Sequence, residues 1–92
     1  STIPANPVRP RSLLSYTVAW VDYTAQSIEV EFNYYLGELE ITVSDMSGCP
    51  VYSQSVNSDV MPSVKLPMPG TGAYRITIAG EEYRADGDFL IE

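Results

Sequence analysis

No histidine occurs in the 92 residues. The side chain that most often serves as a general base near neutral pH is therefore missing, and with it any Ser-His or Cys-His pair and zinc's usual nitrogen ligand. The single cysteine, Cys49, precedes Pro50 and has no cation nearby in sequence to lower its thiol pKa. It is expected to be a small, half-buried residue at a strand start. Glu29, Glu31, Glu38 and Glu40 alternate with apolar residues, as a solvated strand face does. A glycosidase pair would instead need a recess that raises one carboxyl pKa. Asp86 and Asp88 flank Gly87 shortly after Glu81-Glu82 and are the best cation candidates. Calcium takes six or more oxygens, and turns use the same Asp and Gly residues. No catalytic residue, metal or cofactor is expected.

The aromatic residues offer more. Trp20, Tyr23, Tyr34, Tyr35 and Tyr52 could form a stacking platform for sugars or a protein-binding patch. Tyr16, Tyr34 and Tyr74 fall on core-facing registers, and packing accounts for most of the seven tyrosines. Tyr35 breaks the alternation before Leu36-Gly37 and is the aromatic expected to be most exposed. Tyr35, Tyr23 and Trp20 are thus the candidate binding residues. Tyr74, two residues after Gly72, suits a tyrosine corner, in which the hydroxyl closes a bond to upstream backbone.

These residues ride on a chain with period-two patterning throughout, the mark of half-buried strands. Thr17, Ala19 and Val21 alternate with Val18 and Trp20 in a strand expected to be buried on both faces. Asp22–Ala25 is a turn, and Ile28, Val30, Phe32 and Tyr34 define the next strand. Leu39, Ile41 and Val43 define a third, closed by the turn Asp45-Met46-Ser47-Gly48. Further strands cover 50–56, 63–66 and 73–78. Gly80 turns the chain into Tyr83–Ala85, and Asp86-Gly87-Asp88 is expected to bulge before Phe89–Ile91. No segment keeps helical spacing over two turns. About seven antiparallel strands at spacings of eight to twelve residues predict an all-β sandwich. Pairing 27–34 with 38–44 as a hairpin would set Glu29 and Glu31 near Glu38 and Glu40. Like charges placed opposite one another cost up to about 1 kcal/mol. The chain is therefore predicted to cross between sheets at Tyr35-Leu36-Gly37, as in an immunoglobulin-like β-sandwich.

Ninety-two residues make one domain. Residues 1–12, with three prolines and both Arg9 and Arg11, read as a flexible Pro-rich arm, and 13–92 as the sandwich. From residue 12 onward three basic residues face twelve carboxylates, 3 − 12 = −9. That balance repels phosphate backbones and anionic lipids, so nucleic acid is not an expected partner. No apolar run is long enough for a membrane-spanning helix. The chain opens on Ser1, which predicts a processed N-terminus; a mature lipoprotein would open on Cys.

Arg11-Ser12, Val18–Trp20, Leu36–Val43, Gly48, Val51-Tyr52, Gly72–Ile78 and Phe89–Ile91 together form a recognisable pattern. It resembles small secreted domains of unknown function in Bacteroides-type gut bacteria, which have an immunoglobulin-like β-sandwich. Its middle and end are also similar to bacterial C-terminal sorting domains. The resemblance implies an exported protein, periplasmic, cell-surface or extracellular. The expected function is a non-enzymatic binding or adhesion-type module whose partner is a protein or a glycan. The alternatives are a structural or sorting element of the envelope, self-association by strand exchange, and carbohydrate binding.

Overall fold

The computed structural model describes residues 16–92; the Pro-rich arm lies outside them. Seven strands follow in order: β1 (Thr17–Asp22), β2 (Ser27–Phe32), β3 (Glu38–Asp45), β4 (Pro50–Asn57), β5 (Ser63–Pro67), β6 (Gly72–Gly80) and β7 (Arg84–Ile91). All pairings are antiparallel, and no helix occurs among the described residues. One sheet has the order β1-β2-β5, the other β4-β3-β6-β7. The chain does change sheets between β2 and β3, so Glu29 and Glu31 never oppose Glu38 and Glu40.

Alternation decides what lies between the sheets. Val21, Ala19 and Thr17 pair with Ile28, Val30 and Phe32, which puts all six on one face with Val64 and Leu66. Opposite them lie Leu39, Ile41, Val43, Val56, Tyr74, Ile76, Ile78, Phe89 and Ile91, all buried. Each fully buried aliphatic side chain contributes roughly 1.5–3 kcal/mol through removal from water. The smaller face of β1 is thus the inner one, and Val18 and Trp20 are only half-buried on the outside. The expectation of burial on both faces of β1 fails there, because no layer covers the outer side of this sheet among the described residues.

Two further expectations fail, one of them for reasons of register. β7 pairs with β6 without interruption from Arg84 to Ile91, so Asp86-Gly87-Asp88 forms no bulge. A one-residue slip there would turn Phe89 and Ile91 out of the core. The irregularity falls instead in β4, where Val43 faces Tyr52 and Ser44 faces Pro50, leaving Val51 over and partly exposed. Cys49 is exposed in the turn before β4 and is a free thiol, not the half-buried residue expected.

Tyr74 behaves as anticipated. Its hydroxyl donates to the Gly70 carbonyl at 2.8 Å, closing the loop by which the chain passes from β5 to β6. Its ring packs 5.7 Å from that of Phe89.

Candidate functional site

Strand directions collect particular loops at each end of the sandwich. One end gathers the start of β1, the β6–β7 turn and two of the three segments that change sheets, 33–37 and 58–62; the third, between β5 and β6, lies at the other end. These two crossing segments are tied together. The Ser58 hydroxyl, on a residue only 3% exposed, accepts from Leu36 N–H at 2.9 Å and donates to the Gly37 carbonyl at 2.9 Å. Ser58 N–H reaches the same carbonyl at 2.9 Å. Gly37 N–H is taken by Asp59 Oδ1 at 3.1 Å. Gly37 has φ 76°, a left-handed conformation that glycine adopts without the Cβ penalty. A buried unpaired amide costs about 1–3 kcal/mol, so Ser58 is what lets the chain cross here.

The segment after β2 is fixed on its other side as well. Asn33 N–H donates to the Tyr16 carbonyl at 2.8 Å, and Phe32 N–H to Pro62 at 2.9 Å. Tyr16 meets Tyr34 edge-to-face with ring centroids 4.7 Å apart, and meets Tyr83 at 5.8 Å. The Tyr83 and Thr17 hydroxyls lie 2.7 Å apart, and Thr17 is itself buried. Tyr16 and Tyr34 were expected in the core, yet they are 40% and 48% exposed. Tyr16 shares its parity with Val18 and Trp20 on the outer side of β1, and Tyr34 lies past the end of β2, where alternation no longer applies.

Between the crossing segments opens a cleft of about 440 Å³, lined by Tyr34 and Tyr35 on one side and by Ser58, Asp59, Val60 and Pro62 on the other. Tyr35 is 85% exposed and Val60 74%. A tyrosine this bare, next to Leu36 and Gly37 whose backbone Ser58 and Asp59 hold, is a presented side chain.

The other two aromatic candidates do not join it. Tyr23 sits at the far end, where its hydroxyl accepts from Glu92 N–H at 3.0 Å. Trp20 is half-buried on the outer face of β1, opposite Glu29 in register. A six-residue strand spans roughly 20 Å, so Tyr23 and Tyr35 cannot share a small ligand.

The cation candidates are engaged by guanidinium groups. Arg75 donates to both oxygens of Asp88, at 2.7 and 3.2 Å, which holds the Asp88 carboxyl below its ordinary pKa and raises that of Arg75. Arg84 lies 3.4 Å from Asp86. Among the described residues no group of three or more His, Cys, Asp or Glu is placed to hold a metal ion. Sequence reasoning missed Ser58 and Asp59 as site residues. Asp59–Pro62 reads as a loop along the chain, but nothing in it signals the partner twenty-two positions away.

No protein-family model and no curated protein matches the sequence. Among solved structures, a DUF3244 family protein from Bacteroides vulgatus, described as having an immunoglobulin-like β-sandwich fold, is similar with a TM-score of 0.72. The alignment covers 94% of this chain and 100% of that one, at 17% identity. The fold is immunoglobulin-like. In that framework β1, β2 and β5 form one sheet, and the fourth strand joins the sheet of β3, β6 and β7. The likeness concerns architecture; the cleft is described from this chain's own residues.

Proposed function

We propose that the protein is a non-enzymatic, exported binding module that engages a protein partner through the crossing loops around Tyr35. The observation that carries this reading is the cleft beside Tyr35, built on loops that Ser58 holds to the core. Binding residues sit disproportionately on loops set by a rigid scaffold, and tyrosine is enriched among the residues that dominate interface energy. The volume falls in the range of small ligand sites and suits one or two inserted side chains. The absence of histidine from the sequence supports a non-enzymatic role. Export rests on the resemblance in sequence to secreted Bacteroides-type domains. Fractionation of cells carrying the intact gene tests it, and purely cytoplasmic recovery would remove that half of the reading.

The test of the binding role is Tyr35→Ala, a surface change expected to leave the fold intact. Loss of a central tyrosine contact weakens binding roughly tenfold or more. Binding to immobilised glycans that disappears in this variant would move the reading to carbohydrate recognition.

A second reading, self-association or docking to an envelope protein by strand pairing, is favoured by β1. That edge carries no proline, bulge or charge before Asp22, whereas β4 is bulged, β5 ends in Pro67 and β7 is lined with Arg84, Asp86 and Asp88. Dimerisation that is insensitive to Tyr35→Ala and lost in Val18→Lys would establish it instead.

A further inference from the structure

We infer that the cleft between the crossing loops takes a cationic side chain, the guanidinium or ammonium group of an extended segment of a protein partner. The inference rests on the binding reading above and names its ligand. Charge is the first argument. The described residues hold three cations against twelve carboxylates. Each cation is already matched: Lys65 with Glu29 at 3.9 Å, Arg75 with Asp88 at 2.7 Å and Arg84 with Asp86 at 3.4 Å. None of these pairs lines the cleft, which contributes a carboxylate, Asp59, and no base.

The geometry of that carboxylate is the second argument. Asp59 Oδ1 is occupied by Gly37 N–H, and Asn57 Oδ1 in turn receives Asp59 N–H at 2.9 Å. The bond to Gly37 N–H orients the side chain of Asp59, which is exposed. Across the cleft stand Tyr34 and Tyr35. A tyrosine face attracts a cation through its ring quadrupole, and arginine also stacks flat on it. A carboxylate and tyrosines lining one cleft match a group that is planar, positive and rich in donors. An anion would meet Asp59 and the wider negative field. A neutral apolar side chain would displace water from Asp59 without supplying an opposite charge.

The test uses the full chain and two blocked peptides, one with two arginines and one in which citrulline, of the same shape but uncharged, replaces both. The arginine peptide is expected to shift backbone amide resonances within 33–37 and 58–62, with binding weakened by added salt. Its affinity should fall about fivefold in Asp59→Asn, about fivefold in Tyr35→Ala, and by at least as much for the citrulline peptide. Asparagine keeps an acceptor for Gly37 N–H, so the loop tie survives the first substitution. Shifts spread over Glu38, Glu40, Glu81 and Glu82 and unchanged by either variant would overturn the inference, since they report only attraction to a negative surface. Equal binding of the citrulline peptide at the cleft would overturn the cationic ligand while leaving a binding cleft. No shift with the arginine peptide overturns the inference too; a glycan moving the same amides would then preserve the broader reading, and silence of every probe would end both.

Discussion

The two ends of the sandwich are built by different means. At the end opposite the cleft, turns are held by their own side chains. Asp45 Oδ1 accepts from Ser47 N–H at 2.9 Å, Ser47 O–H at 2.6 Å and Cys49 N–H at 3.0 Å, while Gly48 supplies φ 94°. Asp22 Oδ1 likewise accepts from Ala25 N–H at 3.0 Å. Every one of these turn bonds spans four residues or fewer. The long-range ties at this end, Glu92 N–H to the Tyr23 hydroxyl and Met68 N–H to the Gln26 carbonyl, lie outside the Asp45 and Asp22 turns' own bonding. At the cleft end, Ser58 and Asp59 reach back twenty-one or twenty-two residues, and Tyr83 meets Thr17 across sixty-six. Local turns close whenever their residues are present. The cleft loops exist only once both sheets have formed, so the surface proposed to bind a partner depends on the whole fold.

Four experiments test that difference, beginning with the largest effect. Ser58→Ala leaves Leu36 N–H without its acceptor and should destabilise the protein by about 1–3 kcal/mol in denaturant unfolding. It should also increase amide exchange at 33–37, with the Asp45 turn unaffected. Equal loosening at both ends would show that the two are not separately held. Gly37→Ala places a Cβ at a left-handed position and should cost about 1–2 kcal/mol, again with local loosening at the cleft. A loss of only a few tenths would mean that the crossing tolerates another backbone path.

At the far end the effects should be smaller and confined. Gln26 has φ 58°. Relief of that strain by Gln26→Gly, roughly 1–2 kcal/mol, is offset by glycine's added chain entropy of about 0.5–1 kcal/mol. The net expectation is a gain of about 0.5 kcal/mol, read from the unfolding midpoint; a loss would show that the glutamine side chain contributes in the turn. Least in size is the acid response of Asp45. The Ser47 hydroxyl first, then the Cys49 N–H, hold its carboxyl below the ordinary aspartate range. A lowered folded pKa means that the stabilisation is complete above the ordinary value and is lost as pH falls through the lowered one. Carboxyl resonances should show Asp45 titrating below the ordinary aspartate range, and amide exchange in residues 45–49 should rise only in that acid window. Titration of Asp45 within the ordinary aspartate range would remove the contrast.

Much of this architecture is legible along the chain. Period-two patterning locates the strands to within a few residues, and Asp45–Gly48 reads as a turn because its chemistry is local. The change of sheet after β2 follows from four glutamates that cannot comfortably face one another. Tyr74 near Gly72 reads as a corner, and Tyr35 as exposed, from position alone. Parity misleads where an element ends: Tyr34 lies one step past β2, and Tyr16 lies on the side of β1 that the pairing with β2 turns outward. Gly87 resembles a bulge in isolation, whereas the burial of Phe89 and Ile91 keeps β7 regular.

By itself, then, the sequence determined an acidic all-β domain with its strands, its sheet crossing and its bare Tyr35, because side-chain alternation, turn chemistry and charge repulsion act between near neighbours. Only the tertiary structure decided that Ser58 and Asp59 lie against Leu36 and Gly37, that Trp20 and Tyr23 stand apart from Tyr35, and that Asp86 and Asp88 face arginines. Those outcomes are set by which strands pair and in what register, and pairing between distant segments is decided by burial of the common core.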